Sequence, residues 1–102
     1  MFQLIILAQI RDGEDPTALM EFLRTEMPRR VPSIRRSEIR PDLQLTAHLG
    51  HNATFTWIAD FDDQAGWQLY RDSEAHDEFA NGLKAISDVY LATQSLTGEA
   101  GS

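Results

Sequence analysis

Two side chains able to handle a proton, the phenol of Tyr70 and the imidazole of His76, stand in the run YRDSEAHDEFANGLKAI at positions 70–86. A neutral imidazole takes a proton from an activated methylene and returns it to a developing alkoxide, while a phenol donates a hydrogen bond to a carbonyl oxygen that gains charge. Together they suit proton transfer at carbon next to a carbonyl. A helix from Glu74 onward places His76, Phe79, Leu83 and Ile86 on one face, because they recur at spacings of three and four. Asp72-Ser73 reads as a break and a new helix start, so Tyr70 can turn toward the same space. Both residues also have plainer roles. His76 would serve as a core histidine bonded to a carbonyl, and Tyr70 as a helix-end tyrosine that buries its ring and leaves its hydroxyl in water. Candidate walls of a substrate cavity are Phe22, Leu23, Phe55, Trp57, Phe79 and Leu83, with Gln3, Ile5 and Leu7 from the first strand. Gln3 and Gln9 would act as orienting amides if their side of that strand faces the helices.

Composition narrows the classes of function. The chain has 102 residues, 42% of them apolar, which is enough for one small domain over residues 1–98 with a flexible tail at 99–102. It has no cysteine, so no disulfide, thiol nucleophile or thiolate metal site can form, and a cytoplasmic location is the default. A formal charge of −7 argues against nucleic acid as the partner, since neutralising phosphates takes a surplus of Lys and Arg. Arg24, Arg29, Arg30, Arg35, Arg36 and Arg40 nevertheless fall close together. A cluster of this kind suits an acyl carrier protein or a CoA thioester, or else a solvated edge. His48 and His51 lie in a Gly-containing turn without a carboxylate pair, and no metal or cofactor is expected. The apolar run at 2–10 is broken by Gln3 and Gln9 and lacks a basic leader, so neither a signal peptide nor a membrane span is expected. Nothing resembles a phosphate-cradling glycine loop or a Gly-x-Ser-x-Gly elbow.

The order of elements follows from periodicity. FQLIILAQI at 2–10 is a strand apolar on both sides. Asp15-Pro16 starts a helix that runs to about Met27, buries Leu19, Met20, Phe22, Leu23 and Met27, and is ended by Pro28 and Pro32. The charged run at 33–40 suits an edge strand, and residues 54–62 form a third strand with Phe55, Trp57, Ala59 and Phe61 on its buried side. Asp62 or Asp63 caps a short helix through Trp67 and Tyr70, the helix carrying His76 follows, and 89–97 is the last strand. Strand, helix, strand, strand, helix, strand is the α+β, ferredoxin-like βαββαβ order: a four-stranded antiparallel sheet with helices on one face. An apolar opposite face calls for a second copy, which predicts a homodimer with the sheets face to face.

The hydrophobic opening strand, FTWIADFDD and above all LYRDSEAHDEF make residues 2–97 resemble the stress-responsive dimeric α/β barrel (Dabb) proteins. Within that family the resemblance is to polyketide cyclases of the olivetolic acid cyclase type. It implies a dimeric α/β barrel that works without a cofactor on a small hydrophobic polyketide-like ligand, with Tyr70 and His76 at the positions of the catalytic tyrosine and histidine. Gln3 and Phe55 stand where those cyclases carry further cavity histidines. The resemblance also admits two alternatives, a cofactor-free monooxygenase of the same fold and a non-catalytic small-molecule-binding protein of the stress-response type.

Overall fold

In the computed structural model of the chain, which describes residues 1–98, β1 (Phe2–Ile10) is central in a four-stranded antiparallel sheet ordered β2-β3-β1-β4. β2 (Ile34–Pro41) and β4 (Ser87–Leu96) are the edges, and β3 (Phe55–Phe61) lies between β2 and β1. The expected ferredoxin-like order is therefore present. The tail expected at 99–102 lies outside the described residues. Register pairs Phe2 with Phe61 and Leu96, and Ala8 with Phe55 and Tyr90. Side chains alternate across a strand, so one face gathers Phe2, Leu4, Ile6, Ala8 and Ile10 with Phe55, Trp57, Ala59 and Phe61, all buried beneath the helices.

α1 (Thr17–Glu21), a π-helical turn (Phe22–Glu26) and α2 (Met27–Arg30) follow one another without leaving helical dihedrals. The helix starts one residue later than expected, with Pro16 rather than Asp15 as its N-cap and no side-chain cap, while the Asp15 carboxylate accepts the amide and hydroxyl of Thr17 at 2.9 and 2.6 Å. The helix does not stop at Pro28. Proline has no N–H to give the carbonyl of Arg24, and its ring would crowd that carbonyl in a regular α-turn. The wider turn before it, closed by Met27 N–H donating to the carbonyl of Phe22, accommodates the misfit. Termination falls at Val31, whose φ of −124° and ψ of 86° are the extended values imposed on a residue before proline, here Pro32.

α3 (Gln64–Arg71) is capped by Asp63, which accepts the amide of Gly66 at 2.9 Å. α4 (Glu74–Ile86) is capped by Ser73 and buries Ala75, Phe79 and Leu83 against the sheet. Trp57 ties the layers together: its indole N–H donates to Ser37 Oγ at 2.9 Å, and that hydroxyl donates to the Leu23 carbonyl at 2.8 Å. No helix is long and apolar enough to cross a membrane among the described residues.

The opposite sheet face carries no helix. From β1 it presents Gln3, Ile5, Leu7 and Gln9, from β3 Thr56, Ile58 and Asp60, from β4 Val89, Leu91 and Thr93, and from β2 Arg36, Glu38 and Arg40. Asp60 accepts from Gln3 Nε2 at 2.8 Å and pairs with Arg36 at 3.4 Å. Between β2 and β3 the chain makes an excursion over residues 42–54 with a single 3₁₀ turn, Ala47–Leu49.

Candidate functional site

Tyr70 and His76 come together as their spacing predicts. Their rings meet edge to face with centroids 5.1 Å apart, one from the last turn of α3 and the other from the first turn of α4. Ser73 positions both. Its hydroxyl donates to the Tyr70 carbonyl at 2.7 Å and accepts the His76 amide at 3.1 Å, so one N-cap residue sets the turn between the two helices. The Tyr70 ring packs on Trp57 and Phe61 at 5.6 and 5.7 Å, and only 2% of the residue is exposed. Burial pushes the phenol well above its ordinary value, so it remains a neutral hydrogen-bond donor through the physiological range.

The His76 side chain retains 16% exposure, and its Nδ1 lies 3.2 Å from Asp77 Oδ1. With the proton on Nδ1 donated to that carboxylate, Nε2 keeps its lone pair for a proton acceptor's role. Asp77 was not singled out from the sequence. Its signal there is adjacency alone, which on a helix ordinarily points a neighbour to a different side.

The remaining expected wall residues divide into three groups. Leu23, Trp57, Phe79 and Leu83 lie in the core between sheet and helices with Tyr70, and Phe55 is buried at the far end of β3. Phe22 is half-buried and lines a groove of about 400 Å³ between α1 and α4, together with Leu19, Phe79, Gly82 and Ile86. Phe79 belongs to both places: it lines this groove and sets its ring edge-on to Trp57 at 5.5 Å. Gln3, Ile5 and Leu7 do not join the others. The helices cover the side of β1 that carries Phe2, Leu4 and Ile6, which puts these three on the bare sheet face. Gln3 is engaged by Asp60 and Gln9 donates to the Asn52 carbonyl at 3.1 Å, so neither amide reaches Tyr70 or His76. A single cavity lined by all of these residues does not form.

The arginine cluster is likewise different from its appearance in sequence. Arg24 pairs with Glu21, Arg29 with Glu26, Arg30 with Glu78, Arg35 with Asp62, and Arg36 and Arg40 share Glu38. Each of these guanidiniums lies against a carboxylate of the same chain, so the segment is a row of surface ion pairs and not a run of unmatched positive charge. Arg30 also lies over the Phe22 ring, 5.8 Å from its centroid, and pairs with Glu78; Phe22 and Glu78 both line the groove. Among the described residues no three His, Asp or Glu side chains converge as metal ligands, and His48 and His51 lie exposed in the β2–β3 excursion.

No protein-family model matches the chain, and no curated protein matches it in sequence. Solved structures match nearly all of it. A dimeric ferredoxin-like protein of unknown function from Thermobifida fusca is 21% identical, with 94% of this chain and 90% of that one covered and a TM-score of 0.77. An antibiotic biosynthesis monooxygenase is 15% identical over 96% of this chain and 99% of its own, TM-score 0.73. A hydroxynitrile lyase from Passiflora edulis is 12% identical over 96% and 94%, TM-score 0.76. Similarity at this level of identity concerns the backbone, and it establishes the chain as an α+β protein of ferredoxin-like fold.

Proposed function

We propose that the chain is a cofactor-independent, homodimeric enzyme that moves a proton on a small apolar carbonyl compound, and that its reaction is an aldol or Claisen-type ring closure of a polyketide-like chain. The observation that carries this is the Tyr70–His76 contact, with Asp77 on the far nitrogen of the imidazole and aromatic rings behind the phenol. His76 Nε2 takes a proton from a methylene flanked by two carbonyls. The electron pair left on carbon is delocalised onto oxygen, where the neutral Tyr70 hydroxyl donates a hydrogen bond. The enolate carbon then attacks a second carbonyl of the same molecule, forming the ring bond, and the imidazolium returns its proton to the new alkoxide. The α1–α4 groove supplies apolar space one turn along α4 from His76, with Phe79 between the groove and the core. Its structural neighbours include a lyase and a monooxygenase, which supports small-molecule chemistry on this fold.

The monooxygenase neighbour favours one second reading, a cofactor-free oxygenation of an electron-rich aromatic anion. Dimerisation is supported by neighbours described as dimeric and by the bare apolar part of the sheet face.

The test uses native protein, His76→Ala and Tyr70→Phe against a panel of linear poly-β-ketone thioesters, with ring products followed by mass spectrometry, oxygen by electrode and folding by circular dichroism. Native protein should raise cyclisation above background, and each folded variant should lose about 100-fold or more of that rate. Oxygen uptake without cyclisation would favour the monooxygenase. Native and variant rates equal to background across the panel would leave a ligand-binding protein without turnover.

A further inference from the structure

The excursion between β2 and β3 leaves its large apolar side chains in water. Four of its polar side chains, Asp42, Gln44, Thr46 and Asn52, bond within it: Asp42 accepts from the amide of Gln44 at 2.7 Å, from Gln44 Nε2 at 2.9 Å and from Asn52 Nδ2 at 2.8 Å. Gln44 also donates to the Ala53 carbonyl at 2.9 Å, and Thr46 donates to Asn52 Oδ1 at 2.7 Å. Its apolar side chains point to solvent instead, leaving Leu43, Leu45 and Leu49 exposed by 80, 78 and 60%. Gln44 holds a φ of +60°, a left-handed conformation that costs a non-glycine residue energy and that keeps the flanking leucines turned outward. A loop serving only to join two strands would not place three leucines in water.

The same segment borders the bare sheet face. Gly50, His51, Asn52 and Ala53 enclose a cleft of about 240 Å³ with Leu7, Gln9, Val89 and Leu91 of β1 and β4. Leu7, Val89 and Leu91 are themselves exposed, and Leu43 and Leu45 border the same face at Arg40 and Thr56. Charge on that surface suits a copy of itself. The whole chain carries −7, yet the charged groups of the sheet face are Arg36 and Arg40 against Glu38 and Asp60, which balance. Two copies can bring these faces together without like-charge repulsion at the contact.

We propose that the β2–β3 excursion is a dimer clasp whose leucines pack on the bare sheet face of a second copy, with the cleft beside β1 and β4 receiving a leucine from the partner's arm. The inference rests on the homodimer proposed above, and it adds the element that holds it.

Three proteins compared by sedimentation equilibrium separate the two claims: native chain, the triple variant Leu43→Ser, Leu45→Ser, Leu49→Ser, and the sheet-face variant Leu91→Asp. The native chain should have the mass of two copies. The triple variant should self-associate about 100-fold more weakly with an unchanged circular dichroism spectrum, and Leu91→Asp should do the same. A triple variant that dimerises like the native chain while Leu91→Asp does not would overturn the clasp and leave the sheet-face dimer standing. A native chain with the mass of one copy would overturn both. Native protein that floats with phosphatidylcholine vesicles, and stops doing so in the triple variant, would assign the leucines to a lipid surface and overturn the clasp.

Discussion

The Tyr70 ring is packed by Trp57 and Phe61, and ionising its hydroxyl in the folded chain is opposed by the loss of water around it. Its folded pKa is therefore raised above the unfolded value of about 10. The unfolded chain gives up this proton first, so the stabilisation is complete below about pH 10 and is lost as pH rises beyond it. Tyr70→Phe removes the titration, and the variant should lose less stability than native protein between about pH 8 and 11, as read from urea midpoints at each pH. An equal loss in both would mean that the phenol is hydrated. The pairing of Tyr70 with His76 was legible in the sequence because a capping serine and a helical spacing leave few ways to arrange them. The position of Gln3, Ile5 and Leu7 was not, since a strand apolar on both sides does not say which side the helices choose. Asp77 was also missed, because a helix neighbour reaches a ring nitrogen only when the ring leans toward it.

Among the elements, α4 carries the most consequence. Gly82 lies inside it, and a Cβ there would meet Leu19 Cδ1 at 3.1 Å, the far end of a flexible side chain beside the open groove. The methyl can swing into that space, so the gain in helix propensity of about 1 kcal/mol should outweigh the contact. Gly82→Ala is expected to raise stability by about 0.5 kcal/mol in urea denaturation while narrowing the groove. A variant less stable than native protein would show that Leu19 has no room to yield. Strand order and helix number were readable from periodicity, and so was the edge position of β2 from its charge. The pairing of those charges was not: Glu38 is held down to about 2 by hydrogen bonds first from Arg40 and then from Arg36, a ladder visible only once the strand is extended. The helix end was misplaced for a similar reason. Pro28 looks like a stop in sequence, and the π-helical turn before it removes the clash that would have made it one.

For the whole molecule, two like-charged copies of −7 repel at a distance while their facing surfaces balance. Salt should then tighten the dimer. Raising NaCl from about 20 mM to about 0.5 M shortens the Debye length to a few ångströms, and sedimentation equilibrium should report a lower Kd at the higher salt. Weakening instead would mean that ion pairs across the contact outweigh the overall repulsion. The apolar character of the sheet's bare side was legible in β1, but the exposed leucines of the β2–β3 excursion were not. Leu43, Leu45 and Leu49 look like ordinary loop residues in sequence, and only the structure shows all three in water. The sheet's wiring has a kinetic consequence as well. Central β1 pairs on one side with β3 and on the other with β4, residue 2 meeting residue 96. During synthesis this apolar strand emerges before either of its partners and waits unpaired until both have followed, so the sheet closes late and through distant contacts. In that interval FQLIILAQI is the segment most open to mispairing between chains.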